Sequence, residues 1–231
     1  MPPMTALAPP LPLAGLPLRF LLPMAAALLA GLAWLLLAPL LGGPAAVFIK
    51  GSGVALIALA ALQLPASGAR WLAAVMALGA TGDMLLEVPG LFIAGAASFA
   101  AGHVVAMAFY VRHRRQASTS DRLMAAGLIA YGLAMPPLLS SASVPYGLAM
   151  VYAVLLCGMA ASLWLSRFPR LAALGALGFV LSDTILVYRM GGGELLGPAL
   201  DGAAVWFFYF GGQWMIALGV ARGLLARAAH P

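Results

Sequence analysis

Two acidic residues lie where acids are costly. Asp83 follows Arg70 after twelve uncharged, mostly apolar residues, and Asp183 follows Arg170 in the same way, 100 residues later. The first stretch ends Gly82-Asp83-Met84-Leu85-Leu86 and the second Ser182-Asp183-Thr184-Ile185-Leu186. An Asp in an apolar spanning helix costs about 2.5–3.5 kcal/mol at the bilayer centre on insertion scales, and such residues face a bundle interior or a polar cavity. Two carboxyl groups brought together there can divide acid–base work. One donates a proton while the other stays ionised beside the cation that forms.

Several other polar residues sit in apolar surroundings. Glu87 is four residues past Asp83, on the same helix face. It is either a second acid at the site or a carboxylate at the headgroups beside Pro89. His103 follows the small-residue stretch Gly95 to Gly102, which suits close helix packing. A lone His of this kind is more often a hydrogen-bonded core residue than a ligand. Gln213 follows Gly211-Gly212, with Tyr209 one turn earlier on the same face. Lys50 either snorkels to the surface or supplies a counter-charge for the two Asp. With Ser182, these residues are expected to line one closed cavity, the simplest way to satisfy polar groups inside a membrane. Cys157 lies in an apolar run and reads as a small buried hydrophobe.

The composition says what must position them. Of 231 residues, 64% are hydrophobic and 8% charged, and the mean hydropathy is +1.05. A soluble domain carries about 25% charged residues, so the chain is an integral membrane protein. Its net charge of +6 does not point to nucleic acid, because the Arg residues fall at helix ends. The lone Cys excludes a disulfide framework or a cysteine metal site within one chain. There is no phosphate loop, no His-Glu-x-x-His and no nucleophile elbow.

Gly and Pro punctuation divides the chain into eight spans. They are expected near 20–41, 45–64, 70–88, 91–111, 122–140, 145–166, 170–189 and 202–223. Residues 1–18 read as a loosely ordered tail, poor as a signal peptide because no positive charge precedes Arg19. Residues 19–231 form a single eight-helix domain, with halves of about 19–115 and 116–231. On this map ten of the twelve basic residues fall on one side, Arg189 alone on the other, and Lys50 within a helix. Basic loops face the cytoplasm, so both termini are expected there. At about 1.5 Å per residue, each Asp lies about 20 Å from that edge, in the outer half of the membrane. Helices 3–4 and 7–8 read as copies in a parallel 4+4 repeat about an axis along the membrane normal. The alternative is chance similarity in a chain rich in Ala, Leu and Gly.

Taken together these motifs resemble the YhhN-like lysoplasmalogenase family. The residues that carry the resemblance are Gly82 to Leu86, Phe92 with Gly95, Phe99 to His103, Ser182 to Leu186, and Tyr209 with Gln213. Lys50 resembles the family's Lys-Pro at the start of helix 2. The likeness spans about residues 45–220. Gly51 departs from the expected Pro, and Ala106 stands where a Tyr often follows the His. The resemblance implies an eight-helix membrane enzyme that cleaves the vinyl ether bond of lysoplasmalogens, with Asp83 and Asp183 as the catalytic pair and no cofactor.

That chemistry suits two carboxylates. Protonation of the alkene carbon away from oxygen makes an oxocarbenium ion, water adds, and the hemiacetal collapses to an aldehyde. Glu87 beside Asp83 favours Asp83 as the acid, while Ser182 and Arg189 favour an ionised Asp183. His103, Tyr209 and Gln213 are candidates to fix water or the glycerol hydroxyl, and Lys50 or Arg189 to meet the phosphate. The partner is a lysophospholipid in the bilayer, and a homo-oligomer is left open. A bacterial plasma membrane is expected from the Ala and Gly richness with its Arg bias. A proton-coupled carrier of a small polar solute, or a scaffold, would also use buried polar residues.

Overall fold

The structure is a computed structural model that describes residues 15–139 and 146–228. Most of the tail, residues 1–14, and the break between the fifth and sixth spans, residues 140–145, lie outside the described residues. Among the described residues there are eight long helices: α1 (Leu18–Leu37), α2 (Gly43–Leu62), α3 (Ala69–Leu86), α4 (Phe92–Arg112), α5 (Thr119–Leu139), α6 (Tyr146–Trp164), α7 (Arg170–Met190) and α8 (Pro198–Ala228). A 3-10 turn, Ala38–Leu40, extends α1. Seven of the eight, all but α5, are long and apolar enough to cross a membrane. No strand occurs among the described residues, only an antiparallel bridge between Arg114 and Ser166. The molecule is an all-α polytopic membrane protein. Helix ends differ from expectation by a few residues, most at α8, which starts at Pro198 and runs through Arg222 to Ala228.

The apolar spacing decides which way each helix faces. In α1, Phe20, Met24, Ala27 and Gly31 recur at intervals of three and four and are buried, whereas Leu18, Leu22, Leu29, Leu32 and Leu36 are exposed. In water that second stripe would be a liability; in a bilayer it is the lipid face. The buried stripe packs on α2 and α8. Trp206 Nε1 donates to the Gly31 carbonyl at 2.8 Å, which seats α8 in the groove.

Small residues bring α7 and α8 together. A Cβ added at Gly175 would stand 2.5 Å from the Gly212 carbonyl oxygen, and one at Gly212 2.5 Å from that of Gly175. Backbone meets backbone here, as small residues allow in membrane helices. The chain passes α1–α2–α3–α4 between neighbours, α4 then packs on α6, and α8 returns against α1, α2 and α3. The helix α5 lies against α6 and α7.

At the end of the bundle that carries both termini, Asp121 ties three elements together. Ser118 and Asp121 form a capping box at the start of α5, with Ser118 N to Asp121 Oδ2 and Asp121 N to Ser118 Oγ both at 3.2 Å. The same carboxylate accepts from Arg170 Nη2, from Trp164 Nε1 at 3.1 Å, and pairs with Arg115 Nη2 at 2.8 Å. These hydrogen bonds, Arg170's first and Ser118's next, hold the Asp121 carboxyl well below the usual carboxylate range.

Candidate active site

The two Asp reach one cavity. It has a volume of about 450 Å³ and a mostly apolar wall, within the range of small-molecule sites. Its wall is built from the C-terminal halves of the odd helices and the N-terminal halves of the even ones. It therefore lies toward the end of the bundle away from the termini. Asp83 on α3 and Asp183 on α7 are 2% and 5% exposed, so neither reaches solvent or lipid.

Each acid has its own tyrosine. Tyr209 Oη on α8 donates to Asp83 Oδ2 at 2.7 Å, and Tyr152 Oη on α6 donates to Asp183 Oδ2 at 2.8 Å. The first bond joins helices far apart in sequence, the second two consecutive ones. Tyr152 went unremarked in the sequence, although a buried Tyr hydroxyl needs a partner and an Asp in a neighbouring span is the strongest acceptor at hand.

The Tyr209 ring is set edge-on against Phe99 and Phe179, with centroids 5.7 and 4.9 Å away. Gly82, just before Asp83, leaves the space that Phe99 fills; a Cβ there would come within 2.6 Å of the ring. These three rings form a layer at the base of the cavity.

His103 and Gln213 lie behind that layer, which corrects the expectation of a single cavity holding them all. They line a separate void of about 10 Å³ with Gly79, Gly102, Ala106 and Tyr110, room for about one water. His103 is buried between the rings of Tyr152 and Phe179, at 5.6 and 5.3 Å, and its Nε2 has no hydrogen-bond partner. Position along a helix predicts depth but not which side of an aromatic layer a residue occupies.

Lys50 has a direct partner that neither expectation named, while its charge still acts on Asp83. Its Nζ donates to Glu87 Oε1 at 2.6 Å, and lies 5.5 Å from the Trp34 ring centroid. The ammonium lines the cavity while Glu87 closes the pair from the end of α3. Gly51 beside it admits the Met84 side chain; a Cβ there would stand 2.6 Å from Met84 Cε.

Ser182 and Arg189 do not act on Asp183 as expected. The Ser182 hydroxyl donates to the Val205 carbonyl at 2.8 Å, a bond between α7 and α8. Arg189 lies at the cavity mouth, where Nη2 donates to the Pro198 carbonyl at 3.3 Å. No group of three or more His, Cys, Asp or Glu that could hold a metal occurs among the described residues.

Fold and site together define a polytopic membrane protein with two tyrosine-held carboxyls at the base of an intramembrane, largely apolar cavity. A family model, the YhhN family, matches residues 45–220, and the chain belongs to that family. Two curated relatives carry the name lysoplasmalogenase, one from Mycobacterium bovis and one from Mycobacterium tuberculosis. Each is 29% identical over 188 residues, covering 75% of this chain and 69% of the relative. No solved structure matches. The names and the family support a hydrolase acting on lysoplasmalogens.

Proposed function

We propose that this protein hydrolyses the vinyl ether bond of lysoplasmalogens, releasing a fatty aldehyde and glycerophosphocholine or glycerophosphoethanolamine. The supporting observation is the pair Asp83 and Asp183, each held by one tyrosine, in the wall of a single apolar cavity. One carboxyl transfers its proton to the alkene carbon away from oxygen, leaving an oxocarbenium ion. The other, ionised, stabilises that cation and takes a proton from the water that adds to it. As the hemiacetal's carbon–oxygen bond to glycerol breaks, the second carboxyl gives the proton it took from water to the glycerol oxygen, the first takes the hemiacetal hydroxyl proton, and the aldehyde leaves. Water is consumed and both carboxyls return to their first state. Lys50 opposes the effect of Glu87, so Glu87 alone does not single out Asp83 as the donor. The alkenyl chain lies against the apolar wall, in keeping with an enzyme embedded in the membrane.

The test is aldehyde release from lysoplasmenyl-choline and -ethanolamine by purified protein. Asp83→Asn and Asp183→Asn each abolish release while the protein keeps its elution profile and Tm. Activity surviving either change removes the two-carboxylate mechanism.

Two organisational readings belong to the same proposal. The termini face the cytoplasm of a bacterial plasma membrane, because ten of twelve basic residues lie at that end. The halves form a parallel repeat. In its support, the pairs α2–α3, α3–α4 and α4–α6 have counterparts in α6–α7, α7–α8 and α8–α2.

A further inference from the structure

The cavity mouth carries two cations of unequal standing. Lys50 is matched by Glu87 at 2.6 Å. Arg189 makes no ion pair among the described residues, and its hydrogen bond goes to a neutral carbonyl, that of Pro198. Gly202 packs beside it, and a Cβ there would stand 3.6 Å from Nη1, in ordinary van der Waals contact. An arginine lining a cavity with donors to spare is suited to a planar or tetrahedral oxyanion, which it grips with two parallel N–H bonds.

We infer that Arg189 binds the phosphate of the lipid substrate. The inference rests on the proposed hydrolysis of lysoplasmalogens. Arg189 lies six residues beyond Asp183 along α7, a rise of about 9 Å, and both line the same cavity. An extended glycerol arm joins a vinyl ether to its phosphate over a comparable distance. With the phosphate on Arg189, the alkene falls beside the acids.

The experiment compares wild type, Arg189→Gln and Arg189→Lys on four substrates: lysoplasmenyl-choline, lysoplasmenyl-ethanolamine, alkenylglycerol phosphate without a base, and alkenylglycerol without phosphate. In Arg189→Gln, KM for the three phosphorylated substrates rises about ten- to a hundredfold with kcat nearly kept, the effect of losing a charge-assisted bond. Arg189→Lys recovers part of this. The rate on alkenylglycerol is the same in all three proteins, which also reports that they are folded. Inorganic phosphate as a competitor separates a pocket filled from water, where it raises KM in wild type and not in Arg189→Gln, from one filled only from the bilayer. Equal losses on all four substrates in Arg189→Gln would mark a structural role through Pro198 and overturn the assignment. If wild type cleaves none of them, the proposed activity fails separately. Binding of an uncleavable alkyl-ether lysophospholipid, followed by tryptophan fluorescence, then still decides Arg189: weaker binding in Arg189→Gln supports it, and equal binding removes it.

Discussion

Tyr209 and Tyr152 each hold an acid by one oxygen, Oδ2 in both cases. A hydroxyl–carboxylate bond in such a site is worth about 1.5–3 kcal/mol. Tyr209→Phe and Tyr152→Phe are therefore each expected to lower kcat for aldehyde release about ten- to a hundredfold, with little change in KM. Full activity in either variant would show that its tyrosine does not position the acid. The two acids were conspicuous in the sequence because a carboxyl among apolar residues has few harmless explanations. Tyr152 was not, because Tyr is ordinary in membrane helices and its meaning depends on α6 lying against α7.

Among the elements, the contact of α7 with α8 tolerates least. The atoms that crowd Gly175 and Gly212 include backbone, which cannot swing away. Gly212→Ala forces the helices apart, at a cost of about 1–3 kcal/mol by overpacking. It is expected to lower Tm in detergent and to weaken aldehyde release, since Tyr209 and Asp183 ride on those two helices. An unchanged Tm would mean that the helices re-pack freely. The start of α5 is held electrostatically. Because the Asp121 carboxyl titrates below its ordinary range, it contributes its full stability above the ordinary pKa of about 4 and loses it as pH falls through and below that value. Asp121→Asn should thus lower Tm near pH 7, and the gap from wild type should narrow as pH drops below about 4. A gap independent of pH would show that the hydrogen bonds, not the charge, matter. That Arg115, Trp164 and Arg170 converge on one oxygen of Asp121 was not legible in the sequence.

At the scale of the molecule, the cavity and the termini lie at opposite ends of the bundle. On the proposed orientation, with the termini in the cytoplasm, the cavity mouth belongs to the outer leaflet. In protein with Cys157→Ala, Glu194→Cys on the loop after α7 should react with an impermeant maleimide in intact cells. Gln116→Cys, between α4 and α5, should react only after the cells are opened. The reverse pattern would invert the topology and bring the substrate from the inner leaflet.

Composition and apolar spacing determined, by themselves, that this chain is a polytopic helical membrane protein and that two acids lie at matched depth within it. Those properties follow from transfer energies, which each stretch of sequence carries locally. Tertiary packing decided the rest: that both acids open into one cavity, that Tyr209 and Tyr152 hold them, that His103 and Gln213 fall behind the Phe99 and Phe179 rings, and that Lys50 pairs with Glu87 while Arg189 stays at the mouth. Direction around a helix has meaning only once neighbouring helices are in place, and those neighbours come from distant parts of the chain.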